Sequence, residues 1–222
     1  MFWQRIFVLL ISLSTLFAKE EFALGTLVTA PNDARTVIID AGHGGTDLGA
    51  RSRSPYCEEK RLCLQTARLL KKYLSQLGYR VVMTRGGDAF VPLSKRVEIA
   101  AQASGDLFLS VHFNSSRSPE PHGIEVFFSD NGEDPTRSSA SRRLANSVLT
   151  RVIRQTEARS RGIKRGNFYV LRENTMPAVL VEGGFLSNPD ERVQLRSREY
   201  QEKIAQGIAD GVDHFFRTMR AS

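Results

Sequence analysis

Thr36-Val37-Ile38-Ile39-Asp40-Ala41-Gly42-His43-Gly44-Gly45 is the stretch that decides the fold of this chain. Its first four residues are all β-branched, and the run ends at Asp40 in a glycine-rich loop. An apolar strand without polar alternation is one buried on both faces, as in the largely parallel sheets of α/β domains. The loop does not complete a dinucleotide fingerprint: Gly42-x-Gly44 needs a third glycine where Asp47 stands. No phosphate-loop Gly-Lys-Ser/Thr follows it either. Its glycines let the backbone turn sharply and present His43 at the C-terminal end of a strand, where α/β sheets bind ligands.

Working outward, Leu62, Leu69, Leu70, Tyr73, Leu74 and Leu77 recur at helical spacing, and Gly78 stops that helix. Tyr79–Thr84 reads as a second strand, and Leu93–Ser104 as a shorter helix with Ser94 as its cap. Asp106–Phe113 and Gly123–Ser129 are further strands, and Ser138–Glu157 is a basic amphipathic helix. Phe168–Leu171 and Ala178–Glu182 read as the last two strands. Asn188-Pro189-Asp190-Glu191 is a strong helix start, with a cap, a proline at the first position and acids in the first turn. A final helix spans Tyr200–Met219. Helices alternate with apolar strands, so the expected fold is a single α/β domain: a mostly parallel or mixed twisted sheet of about six strands, with helices on both faces.

Of the 222 residues, 41% are apolar and 25% charged, which excludes a long disordered polymer and a multi-span membrane protein. Lysine and arginine (31) exceed aspartate and glutamate (24), a net charge of +7 that favours an anionic partner. At the N-terminus, Arg5 precedes an apolar run over Ile6–Phe17, and Ala18 precedes Lys19-Glu20-Glu21. That is the pattern of a secretory signal peptide over residues 1–18, too short for a comfortable membrane span, with residues 19–35 as a lead-in. Removing the leader deletes one arginine and no acid, so the balance falls only to +6 (30 minus 24). Export to the periplasm or cell envelope argues against nucleic acid as the partner and for an acidic wall polymer. Cys57 and Cys63 lie on nearly opposite faces of a helix start; Cys63 reads as a small packing residue, and neither forms a Cys-x-x-Cys motif.

Four positions carry chemistry, each at a strand end or at the helix start just beyond one. They are His43, the acidic pair Glu58-Glu59, His112 in Leu109-Ser110-Val111-His112-Phe113-Asn114, and Glu182 in Val179-Leu180-Val181-Glu182-Gly183-Gly184-Phe185. Acids in a first turn also simply oppose the helix dipole, so the residues alone leave Glu58 and Glu59 open between cap and ligand. A carboxylate closing an apolar strand is costly to bury without a cation or a chemical task. Two histidines and a carboxylate suit one Zn²⁺ with a position left for water, and a separate glutamate can move protons. His122 reads as a solvated loop residue and His214 as a packing residue beside Phe215-Phe216.

At these residues the sequence resembles the zinc-dependent N-acetylmuramoyl-L-alanine amidases of the Amidase_3 family. The resemblance rests on Val37–Gly45, Glu59-Lys60 with Leu64, Thr84-Arg85 with Asp88, Leu93 and Arg96, then Asp106–Asn114 and Val179–Asn188. It implies that residues 36–218 form the catalytic domain, that His43, Glu59 and His112 hold zinc, and that Glu182 is the catalytic carboxylate. It also implies a substrate, peptidoglycan, cut at the amide between N-acetylmuramic acid and L-alanine. Phe113 is bulkier than the residue usual after the second histidine, which implies a somewhat altered cleft. Arg85 and Arg96 are open between a groove role toward stem carboxylates and structural ion pairing. Some family members plug the zinc site with an extra helix until a partner removes it. Residues 113–181 are already used by the elements above, so an open cleft is expected. Two other readings use parts of the same pattern: a zinc peptidase cutting within the stem peptide, and an inactive wall-binding domain that would lack a ligand or the glutamate.

Overall fold

The computed structural model describes residues 35–130 and 134–220; the expected leader and the lead-in up to residue 34 lie outside them. The decisive stretch forms β1 (Thr36–Ala41), every residue of it buried. A two-stranded hairpin follows, β2 (Arg51–Arg53) and β3 (Tyr56–Glu58), and leads straight into α1 (Glu59–Gln76). Then come β4 (Arg80–Met83), α2 (Leu93–Gln102), β5 (Leu107–Asn114), β6 (Ile124–Phe128) and α3 (Pro135–Thr156). The chain closes with β7 (Ser160–Arg165), α4 (Tyr169–Arg172), β8 (Ala178–Phe185), α5 (Pro189–Arg196) and α6 (Arg198–Arg220).

Six strands form one sheet in the order β4-β1-β5-β8-β6-β7. β4, β1, β5 and β8 run parallel; β6 pairs antiparallel with β8 and parallel with β7. The mixed, helix-covered sheet is the one the sequence pattern implies. Strand periodicity sorts its side chains: Val37, Ile39, Leu109, Val111, Val179 and Val181 pack with α1, α3 and α6 on one face. Ile38, Phe108, Ala178 and Leu180 pack with residues of α2 and α4 on the other. Each fully buried branched side chain contributes about 1.5–3 kcal/mol. The two helical layers are unequal. The first face is covered by helices of 18, 22 and 23 residues, the second by helices of 10 and 4. Short cover leaves the C-terminal strand ends of the second face open, and the cleft lies there.

Phe168–Leu171 is not a strand. Tyr169-Val170-Leu171-Arg172 makes the single-turn helix α4, with Val170 and Leu171 buried in the smaller core. The sixth strand is instead Ser160–Arg165, polar and only half-buried. An edge strand needs no apolar alternation, and charges along it discourage pairing with other chains, so its pattern resembles a loop. The hairpin Arg51–Glu58 is equally silent in the sequence. Asn188 caps α5 through its side-chain oxygen, accepting from Asp190 and Glu191. Pro92, not Ser94, stands at the cap position of α2 and provides no side-chain cap, and α3 begins three residues before Ser138, where the Asp134 side chain accepts from Arg137 N. Cys57 and Cys63 are free and buried, Cys63 within the main core.

Candidate metal centre

His43 stands one residue beyond the last ladder bond of β1, where Gly42 N donates to Val111 O at 3.1 Å. Its φ is 59°, a left-handed conformation that costs a non-glycine residue on the order of 1 kcal/mol. Two buried guanidiniums hold the backbone there. Arg85 donates to the carbonyls of Ala41 (2.8 Å), Gly42 (2.7 Å) and Lys60 (2.9 Å). Arg96 donates to those of Ala41 and His43, both at 2.8 Å, and pairs with Asp40 at 2.7 Å. Asp40 also accepts from the hydroxyls of Thr84 and Ser110, each at 2.7 Å. Arg85 and Arg96 are therefore structural: each is under 5% exposed, and neither is a groove cation.

Of the two adjacent acids, Glu59 turns inward and Glu58 toward Tyr56. Glu59 Oε1 lies 2.9 Å from both His43 Nε2 and His112 Nδ1, and accepts from Phe113 N at 3.2 Å. Its second oxygen accepts from Ala50 N at 2.8 Å. One donor atom from each of His43, Glu59 and His112 lies within 4.8 Å of the others. The two rings approach edge to face, with centroids 4.8 Å apart. Two glycines make room. A Cβ on Gly42 would sit 2.2 Å from His112 Cε1, and one on Gly49 2.6 Å from Glu59 Oε2.

Burial opposes ionisation of Glu59, but hydrogen bonds from His112 and His43 outweigh it and hold its carboxyl well below the usual range. Burial likewise opposes charging of His43, and Glu59 and Asp47 reverse the balance, raising its pKa. Asp47 Oδ2 is 2.8 Å from His43 Nδ1, and its other oxygen accepts from Gly49 N. A carboxylate that accepts from Nδ1–H keeps the ring proton on that nitrogen and leaves Nε2 free to ligate. Two imidazole nitrogens converging on one ionised carboxylate oxygen fit a divalent cation of the zinc type.

Glu182 lies beside this set: His112 on β5 and Glu125 on β6 are its lateral partners on β8. Its side chain lines a cleft of about 350 Å³ with His43, Glu59, His112, Asn114 and Tyr169. Glu182 Oε2 is buried and has no hydrogen-bond partner. Burial pushes the carboxyl up to about 7, with the negative charges of Glu59 and Glu125 adding to the effect against His112 and His43. Among the described residues between His112 and Glu182, the end of β5 with Ser115, the start of β8 at Leu180, and Phe168, Tyr169 and Val170 at α4 line the cleft, whereas β6, α3 and β7 do not. Phe113 packs into the core against Gly183 and also lines the cleft.

The structure thus gathers His43, Glu59, His112 and Glu182 at one place. His122 stays on a loop, bonded to Glu120 O. His214 is exposed on α6 while Val212, Phe215 and Phe216 turn inward, so it is not a packing residue. Asp47 and Glu125 escaped the sequence reading. Glu125 carried a usable signal, an acid inside the apolar run Ile124–Phe128, the same one that singled out Glu182.

The sequence profile of the N-acetylmuramoyl-L-alanine amidases, Amidase_3, matches residues 37–214, which contain all four of these residues. The chain belongs to the Amidase_3 family. Its sequence is 36% identical over 188 residues to the N-acetylmuramoyl-L-alanine amidase LytC of Bacillus subtilis, a match covering 84% of this chain and 36% of LytC. An N-acetylmuramoyl-L-alanine amidase structure from Clostridium difficile 630 superposes with a TM-score of 0.79 at 36% identity, covering 83% of this chain and 98% of that one. The catalytic domain of CwlV, an amidase from Paenibacillus polymyxa, gives 0.76 at 38% identity, covering 82% and 98%. This Amidase_3 chain therefore spans about a third of LytC and nearly the whole of both solved domains.

Proposed function

We propose that this domain hydrolyses the amide between the lactyl group of N-acetylmuramic acid and the L-alanine of the stem peptide, acting on peptidoglycan in the cell envelope. The observation that carries the reading is Glu182: a carboxyl with one buried, unpartnered oxygen, in the cleft wall beside three converging metal donors. His43, Glu59 and His112 hold Zn²⁺, with Asp47 orienting the His43 ring. When bound, the ion supplies Lewis-acid activation of the amide carbonyl and of the hydrolytic water. Glu182 accepts a proton from that water as its oxygen attacks the carbonyl carbon, then delivers it to the nitrogen as the C–N bond breaks. Products are a lactyl carboxylate on the glycan and a stem with a free alanine amine. A carboxyl raised to about 7 is suited to both halves of that transfer. Residues 1–18, read as a signal peptide, would deliver the domain to the envelope.

The test is digestion of purified peptidoglycan by residues 19–222, with and without chelator, and by the Glu182→Gln variant. Release of intact stems bearing N-terminal alanine, lost on chelation and reduced at least ~100-fold in the variant, is expected. Cuts within the stem would make the protein a peptidase instead. Full activity in the variant would remove Glu182 from the reaction.

A further inference from the structure

Two lobes meet at the metal centre, and their chemistry differs. One, of about 290 Å³, is bounded by Phe90, Val91, Leu93 and Val170, with Asp47 at its edge. Phe90 and Leu93 are 56% and 54% exposed. The loop that displays Phe90 is nevertheless fixed. Buried Lys60 donates to Gly45 O at 2.9 Å and to Asp88 Oδ2 at 2.8 Å, and Gly45 N donates to the other Asp88 oxygen at 2.8 Å. Large apolar side chains held out to solvent on a stapled loop, at the mouth of a cleft, mark a contact surface. The lobe is also unsuited to an anion. Asp47 places an acidic side chain at its edge, 2.8 Å from His43 Nδ1, and Arg96, although it borders the lobe, is buried with its nitrogens on Asp40 and on backbone carbonyls.

The other end of the cleft carries the opposite character. His112, Glu182 and Glu125 lie side by side across β5, β8 and β6. Just beyond the residues that line the cleft, β7 adds Arg161 and Lys164, which pair with Glu125 at 2.8 and 2.6 Å. Two cations on one carboxylate leave a surplus positive charge, and the Lys164 side chain is 39% exposed. Phe127, beneath Lys164, meets the cleft-wall residue Phe168 edge to face at 5.1 Å. In the strand order, the Phe90 loop follows β4 at one edge, and the cations sit on β7 at the opposite edge. The reactive groups lie between.

We propose that the substrate lies across the strand ends in one fixed sense, its glycan on the Phe90–Leu93 ledge and its carboxylate-bearing stem toward Lys164 and Arg161. This rests on the amidase reading above. Uncharged pyranose rings offer C–H faces that pack on an aromatic ring, and the acidic edge of that lobe does not repel them. Stem carboxylates are drawn toward surplus cations and away from Asp47.

The test uses four soluble peptidoglycan fragments: one or two sugars, each with stem carboxylates free or amidated. Stem release is followed for the wild type, Phe90→Ala and Lys164→Gln, the last leaving Arg161 to pair with Glu125. Phe90→Ala is expected to raise KM for two-sugar fragments about five- to tenfold, erasing their advantage while keeping the preference for free carboxylates. Lys164→Gln is expected to do the converse, erasing the carboxylate preference alone. Exchanged effects, or wild-type KM values in both variants across all four fragments, overturn the proposal and leave the amidase reading standing. A wild type that releases no stem from any fragment overturns both.

Discussion

Arg96 donates a 2.8 Å hydrogen bond to the backbone carbonyl of His43 from the same guanidinium that pairs with Asp40 at 2.7 Å. The carboxylate closing β1 and the imidazole loop after it are thereby fixed by one buried side chain. A lysine keeps the charge beside Asp40 but lacks the planar fork. Arg96→Lys is expected to fold and to bind Zn²⁺ about tenfold more weakly, measured by competition with a chromogenic chelator. Arg96→Leu leaves Asp40 buried and uncompensated, and is expected to cost about 3–5 kcal/mol in denaturant unfolding.

Asp47 touches the centre only through His43 Nδ1, at 2.8 Å. Without it the ring loses the partner that sets its tautomer and orientation. Asp47→Ala should lower zinc affinity about 10–100-fold while leaving the melting temperature of the chelated protein nearly unchanged. Unaltered affinity would show that the contact is incidental.

Glu182 makes stability depend on pH. Its folded pKa of about 7 exceeds the ordinary value of 4.5, so the folded chain holds this proton more tightly than the unfolded one. The contribution is full below about pH 4.5 and is lost as pH rises through about 7. In chelated protein, wild-type stability should therefore fall relative to Glu182→Gln between about pH 5 and 8, by on the order of 1–3 kcal/mol. Parallel pH profiles for the two proteins would refute this.

Gly42 permits His112 to occupy its position: an added Cβ would lie 2.2 Å from ring atom Cε1. Gly42→Ala should still unfold cooperatively, but with zinc affinity reduced more than tenfold, because the ring must move from the shared Glu59 oxygen. Calorimetric titration with zinc is the measurement.

What the residues alone determined is the part governed by local pattern. The β-branched run Thr36–Ile39, the helical spacing from Leu62 to Leu77 and the Asn188-Pro189 start each specify an element through short-range physics. His43, His112 and Glu182 were legible because a polar group closing an apolar strand has no packing reason to be there. Glu59 was separable from Glu58 only by resemblance, since both serve a first turn equally; direction of the side chain, inward to the histidines, belongs to the fold. Arg85 and Arg96 were undecidable for the same reason: a charge in a sequence does not show whether its partner is a substrate carboxylate or a backbone carbonyl from another element. β7 and α4 were misread because an edge strand has no buried face to impose alternation, and a single helical turn is too short for a period to register. The +7 charge pointed to an anionic partner but not to its place. Only the strand order, with the apolar ledge beyond β4 and the surplus cations on β7, gives the cleft two unlike ends. Long-range pairing sets that order, and no local pattern encodes it.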